Sequence, residues 1–294
     1  MLVQFISVVA PWHCRLPMFA EACLAALLST FLFGVLDAVG LKMLWWTWHN
    51  SEQMYVERFL GVPLVSAIWI MASTGSLALV VRAIVDRPFF TKILPWPLLL
   101  AFGALAGPFA TLGLMNIPMM LVYHPFVTLF GYPSIWVLTF FRICSLLVVL
   151  KAIFTARKRS VSYSGTIFFI SLAYISILFG IALFGHPETV RRTSYSQPFG
   201  PCNVTESSFW GAFTRFKYVC LDTVVPERDH YSFDCIQSTS LGLPEPGADW
   251  YTVCGIPATD SWWKNVAFYF ASAYAVVLLS QIQISKEGEK FKRL

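Results

Sequence analysis

Residues 164–184 read SGTIFFISLAYISILFGIALF, without one charged side chain. As a helix rising 1.5 Å per residue this run is about 30 Å long, the thickness of a bilayer's hydrocarbon core. In lipid only a helix or a closed barrel satisfies the backbone, and no alternating ten-residue pattern points to a barrel. Gly185-His186-Pro187 then breaks the run. The chain is therefore read as a membrane protein built of helices.

Working outward, five further stretches are long and apolar enough to cross: Met18–Trp46, Val62–Val81, Pro95–Val122, Pro133–Leu150 and Trp263–Ile284. Composition agrees. Hydrophobic residues make up 57% and charged residues 13%, against roughly 25% charged in soluble domains. The net charge of +5 is small, and the basic residues sit in short loops, which excludes a nucleic-acid partner and points to membrane orientation. Residues 1–10 are apolar but lack a basic leader, so no cleavable signal is expected and the first span serves as one. The stretch Pro95–Val122 holds Gly103, Gly107, Pro108, Gly113 and Pro118. It reads as one kinked helix, with a short re-entrant break as the alternative. Gly103-x-x-x-Gly107 either permits a close helix contact or is chance in a glycine-rich span. No internal repeat supports an inverted-repeat transporter.

Orientation follows from counting. Segments 1–17, 82–94, 151–160 and 285–294 hold Arg15, Arg82, Arg87, Lys92, Lys151, Arg157, Lys158, Arg159, Lys286, Lys290, Lys292 and Arg293. The opposite short loops, 47–61 and 123–132, hold Arg58 alone. The positive-inside rule puts the first set, and both termini, in the cytoplasm. The domain reading is then spans one to five in 1–186, a lumenal or extracellular insert at 187–262, span six at 263–284 and a cytoplasmic tail at 285–294.

The insert carries Cys202, Cys220, Cys235 and Cys254, and Asn203-Val204-Thr205 is a glycosylation acceptor. Disulfides and glycans belong on the side that the charge count assigns to it. Zinc is the alternative, but the spacings of 18, 15 and 19 residues contain no C-x-x-C pair. No metal is expected. Three disulfide pairings exist; we favour Cys202–Cys254 with Cys220–Cys235, because both ends of the insert return to one membrane surface. Cys14, Cys23 and Cys144 are expected as free thiols. The fold class expected is an all-α, six-span bundle with a small disulfide-rich insert.

Residues Trp45-Trp46-Thr47-Trp48-His49-Asn50, Glu57-Arg58 and Val62-Pro63 resemble the first lumenal loop of a multi-pass animal membrane protein family. His186-Pro187-Glu188, Gly200-Pro201-Cys202-Asn203, Tyr218-Val219-Cys220, Phe233-Asp234-Cys235 and Trp250-Tyr251-Thr252-Val253-Cys254-Gly255 resemble that family's long loop. The resemblance covers most of the chain. It implies a family from insects and nematodes defined by a domain of unknown function, with no catalytic assignment. Where the family has Trp-His-Asp-Thr-Asp this chain has Trp48-His49-Asn50-Ser51-Glu52, which weakens a metal site built on acidic residues there.

Within the spans, Asp37 and Arg142 both fall roughly 13 Å below the insert-side surface, and Asn116 and Ser272 join that layer. Opposite charges at one depth are expected to pair, because either alone is expensive in hydrocarbon. The layer is either a structural ion pair or a proton, ion or substrate site. Lys42 is expected to snorkel to the interface, and Glu21, near the opposite boundary, to need no special role. His49 and His124 end at the insert-side surface, as ligands, an acid–base pair or solvated side chains. Trp45, Trp46, Trp48, Trp262 and Trp263 read as an interfacial belt, with a ligand cage as the alternative. No H-E-x-x-H, P-loop, G-x-S-x-G or dinucleotide motif occurs.

Three function classes remain. The first is an interaction or accessory subunit that meets a membrane-protein partner through the insert. The second is a carrier or channel using the Asp37–Arg142 layer. The third is a lipid-directed enzyme. The scarcity of buried acids and histidines argues against the enzyme, and no cofactor is expected. Lys290 and Lys292 in the basic tail resemble a dilysine retrieval signal, so the expected address is the endoplasmic reticulum or the plasma membrane.

Overall fold

The computed structural model describes residues 2–14, 16–46, 48, 57–85, 96–155, 165–194, 198–201, 203–207, 214–218, 231–232, 247–248 and 250–292. The helices are α1 (Leu2–His13), α2 (Met18–Lys42), α3 (Leu64–Val85), α4 (Trp96–Pro118), α5 (Ser134–Thr155), α6 (Gly165–Phe184) and α7 (Asp260–Lys292). Five helices are long and apolar enough to cross a membrane: Met18–Lys42, Leu64–Ile84, Leu105–Leu129, Ser134–Thr155 and Gly165–Phe184. Outward-facing side chains agree with lipid as their solvent. Phe109, Leu121, Leu129, Trp136 and Phe154 are all more than two-thirds exposed, an arrangement water would penalise.

The chain divides into two compact units, Met1–Gly34 with Ser66–Ile175 and Phe270–Leu294, and Val35–Val65 with Ser176–Tyr269. In the first unit the expected kinked helix is helical throughout. Pro118 and Pro125 each lack the N–H that would bond four residues back. The ladder widens accordingly, and Met119–Tyr123 and Pro125–Leu129 are π-helical. The Phe130 N–H bonds the Pro125 carbonyl at 3.0 Å, five residues back. Gly131, with φ +69°, ends the run. A Cβ added at Gly107 would meet nothing within 4 Å, so that glycine lies open rather than against a neighbouring helix.

The segment 1–17, expected on the cytoplasmic side, contains a helix packed on the bundle. Val8 of α1 packs with Ala22 and Ala25 of α2 and Ala78 of α3. Of the buried residues of α1, Val3, Ser7 and Pro11 fall at four-residue steps, with Ile6 and Val8 beside them, the spacing of one helical stripe.

The second unit contains the hairpin β1 (Arg58–Phe59) and β2 (Val62–Pro63) and the short strands of the insert: β3 (Arg191–Ser194), β6 (Tyr231–Ser232) and β7 (Tyr251–Gly255), with β4 (Thr205–Ser207) and β5 (Thr214–Phe216) as a separate hairpin. Leu60 and Gly61, both at positive φ, make the two-residue turn joining β1 to β2. The central sheet runs β3-β7-β6, antiparallel, with Arg191 opposite Cys254 and Ser194 opposite Tyr251. Tyr251 and Val253 of β7 join Leu44 and Phe199 in a buried core. Thr259 caps α7: its hydroxyl accepts the Trp262 N–H at 3.2 Å.

Candidate functional site

Two groups of buried charge are built into the chain, one in each unit. In the first unit Glu21 lies one turn into α2 and is 1% exposed. The Arg82 guanidinium stands 3.1 Å from its carboxylate, Nε to Oε2. Arg82 also stacks over Trp12 of α1, 5.7 Å from the ring centroid. Small residues create this seam. A Cβ at Gly75 would be only 3.5 Å from the Ala22 carbonyl oxygen and from Ala26 Cβ, so α3 lies close on α2. On α3, Thr74, Ala78 and Arg82 follow at four-residue steps and share one face. Thr74, Ser7 and Ser29 are fully buried. Ser29 and Thr30 donate their hydroxyls to the Ala26 carbonyl, each at 2.8 Å. The Cys14 thiol, in the turn after α1, is pushed up to about 11 by burial and then by the Glu21 carboxylate, so it stays protonated and unreactive at neutral pH.

In the second unit Lys42 does not snorkel. It is 3% exposed, its Nζ donates to the Pro257 carbonyl at 3.0 Å, and it lies 6.0 Å from the Trp262 ring centroid. The last carbonyls of a helix and a π face both favour a cation. Arg192 of β3 donates to the Leu44 carbonyl at 2.7 Å. The helix end and the insert strands are thus joined through cation-to-carbonyl bonds. His186, at φ +46°, starts the turn Pro187–Thr189 and sets its Nδ1 3.1 Å from Glu188 Oε1. The Glu188 carboxyl is held below its ordinary value by its own backbone N–H first, then by His186, with a smaller contribution from Lys42.

Asp37, 4% exposed, belongs to the second unit, and Arg142 and Asn116 to the first. The Arg142 guanidinium lies 5.8 Å over the Phe31 ring. The Asn116 amide donates to the Leu112 carbonyl of its own helix at 2.8 Å. Ser272 is half-buried on α7. His124 sits between the two π-helical turns, edge-on to Tyr123 at 5.6 Å, and its carbonyl accepts the Thr128 hydroxyl. His49, Cys202, Cys220 and Cys235 lie outside the described residues. Cys254 is buried in β7 and Asn203 is exposed in a turn. Trp46 folds back over Gly40, where an added Cβ would come within 2.7 Å of the ring. Trp262 and Trp263 meet edge to face at 5.0 Å. Among the described residues no group of three or more His, Cys, Asp or Glu side chains could hold a metal ion.

Sequence reasoning missed the Glu21–Arg82 pair. Both residues lie where their helices meet the charge-rich side, so each read as interfacial. The available signal was α1: an apolar, Trp-ended segment just before span one, able to cover them.

No curated protein and no solved structure matches this chain. A family model for a domain of unknown function, DUF7802, matches residues 1–284. Because that model covers nearly the whole length, five apolar helices included, this chain belongs to the DUF7802 family.

Proposed function

We propose that this protein is a multi-pass membrane protein that acts as an interaction or accessory subunit, meeting a membrane-protein partner through its stapled insert. The observation that carries this reading is the build of the insert. Its Phe199, Tyr251 and Val253 form a core with Leu44, just after α2, and the bonds from Lys42 to the Pro257 carbonyl and from Arg192 to the Leu44 carbonyl tie it to that helix end. A loop that only connects two spans needs no such core. On its surface Trp250 is 65% exposed, and tryptophan is the residue type most enriched at binding hot spots. Replacing Trp250 by Ala should reduce partner crosslinking in native membranes at least tenfold while leaving folded yield unchanged. Unchanged crosslinking rejects this use of the insert.

In the same reading α7 supplies a sixth span over 263–284, both termini are cytoplasmic, and Asn203 carries a glycan. Cys202–Cys254 and Cys220–Cys235 are the staples. Two observations favour stapling: Cys254 is buried in β7, and Cys14, Cys23 and Cys144, the free thiols among the described residues, all lie outside the insert. Mass mapping without reductant should find the four insert cysteines in two bridges, each worth about 2–4 kcal/mol to the insert. Four free thiols there would contradict both the staples and the sidedness.

The carrier reading rests on Asp37, a carboxylate buried in an apolar helix, which in a membrane marks a functional site by default. With Arg142 and Asn116 it would form the polar layer. Asp37→Asn separates the two readings. In a carrier it abolishes a measurable flux and leaves partner crosslinking intact; in an accessory subunit it changes neither.

A further inference from the structure

We propose that the exposed face of α4 joins two copies of this chain in the membrane, with Asn116 of one copy hydrogen-bonded to Asn116 of the second. This contact is separate from the insert and its partner, and it is an alternative to the place of Asn116 in the carrier reading.

The apolar stretch Leu105–Leu129 has 25 residues, and Asn116 is its twelfth. Asn116 therefore stands about 16 Å along the span, near the centre of a hydrocarbon core roughly 30 Å thick. Lipid offers a polar group at that depth no hydrogen bond. The Asn116 amide N–H donates to the Leu112 carbonyl of its own helix at 2.8 Å. A carboxamide has a second N–H and an acceptor oxygen. Neither of these has a partner among the described residues.

Burial along the helix shows which way this group faces. Met115 and Met119 are buried, with Thr111 half-buried one turn before them, and they mark the side packed on the chain. Phe109, Gly113, Asn116 and Met120 follow one another at steps of four, three and four residues, the spacing of one face of a helix. Phe109, Gly113 and Met120 are exposed, as are Leu112 and Ile117 on either flank. Asn116 is the polar member of this stripe. A Cβ at Gly113 would meet nothing within 4 Å, so the backbone beside Asn116 is open to close approach.

The occupant follows from complementarity. A carboxamide carries a donor and an acceptor in one group, so it is its own complement. Two copies inserted in one orientation run their α4 helices parallel about a two-fold axis along the membrane normal, and each residue of the stripe meets its own counterpart at its own depth. Asn116 then meets Asn116, and Gly113 meets Gly113, which lets the two backbones close. The four-three-four spacing is that of a two-stranded seam, in which a single asparagine fixes register. A different protein would have to present a matching amide at this depth; a second copy does so by construction.

The test is disulfide trapping of the full chain in native membranes, with two differently tagged copies expressed together. Exposed Cys144 is first removed as Cys144→Ala. Phe109→Cys and Met120→Cys, each on the stripe, should give a crosslinked product carrying both tags on oxidation with copper phenanthroline. Leu121→Cys, exposed but off the stripe, should not. Adding Asn116→Leu should lower the Phe109→Cys crosslink at least fivefold, and Asn116→Gln should retain it. The monodisperse yield of Asn116→Leu should match that of the unaltered chain, which separates a lost contact from a lost fold. Four results overturn the proposal: no product carrying both tags from either stripe cysteine, equal crosslinking at Leu121→Cys, an undiminished crosslink with Asn116→Leu, or crosslinks only to a protein without a tag. The last would assign the face to a different partner.

Discussion

Arg82→Ala should lower the stability of the helical unit by about 3–5 kcal/mol, the usual cost of removing one partner from a buried ion pair. The size follows from where each charge sits. Glu21 is 1% exposed, so its carboxylate cannot turn to water when the guanidinium goes. Arg82 is 16% exposed and Glu21→Ala should cost less, because the longer side chain can reach the surface. The double variant should be milder than the sum of the two singles, the signature of a coupled pair. Arg82→Lys keeps the charge but gives up the planar stack on Trp12, and should fall between wild type and Arg82→Ala. Unfolding in mild detergent, with monodisperse yield as a second readout, measures all four. Additive single-variant costs would mean that the 3.1 Å approach of the two groups contributes no coupling.

How far the sequence could be read depends on which force sets each feature. The spans were legible because a hydrophobic run of membrane length has few other fates. The structure has helices over each of the first five stretches, to within a turn or so at most ends. The helix at Pro95–Val122 was legible too, but not its π-helical end. That depends on how two prolines seven residues apart, Pro118 and Pro125, divide the missing hydrogen bonds. The fate of single charges was least legible. Lys42 and Glu21 sit at span ends, where snorkelling is the ordinary outcome. What buries them comes from far along the chain: the Pro257 carbonyl for Lys42 and the Arg82 guanidinium for Glu21. Hydropathy carries no information about such partners. The same holds for the Phe31 ring, over which the Arg142 guanidinium lies. Depth along a helix is readable from residue spacing; the rotation of the helix about its axis is not.

Gly255→Ala should cost the insert more than about 3 kcal/mol, in the range reserved for changes the surrounding structure cannot absorb. Gly255 ends β7, beside buried Cys254 and opposite Tyr231. A Cβ there would overlap the Pro187 carbonyl oxygen and stand 2.9 Å from its carbon. Those are backbone atoms of the tight turn Pro187–Thr189, and they cannot swing aside as the end of a side chain can. The Gly255 N–H also bonds the Val190 carbonyl at 2.9 Å, so moving β7 away breaks the hydrogen bond that fixes it. Relief therefore requires β7 to part from the turn, and β7 carries Tyr251 and Val253 of the insert's core. Gly113→Ala is the control. Its Cβ would meet nothing within 4 Å, and in mid-helix alanine is favoured over glycine by up to about 1 kcal/mol. Limited proteolysis of the purified chain reads the difference. Gly255→Ala should become sensitive to cleavage within 187–262 while its helices stay resistant, and Gly113→Ala should match the wild type. If Gly255→Ala keeps the wild-type resistance, then the turn and the strand yield at little cost. The insert is in that event too soft to be the preformed surface that a partner-binding role requires.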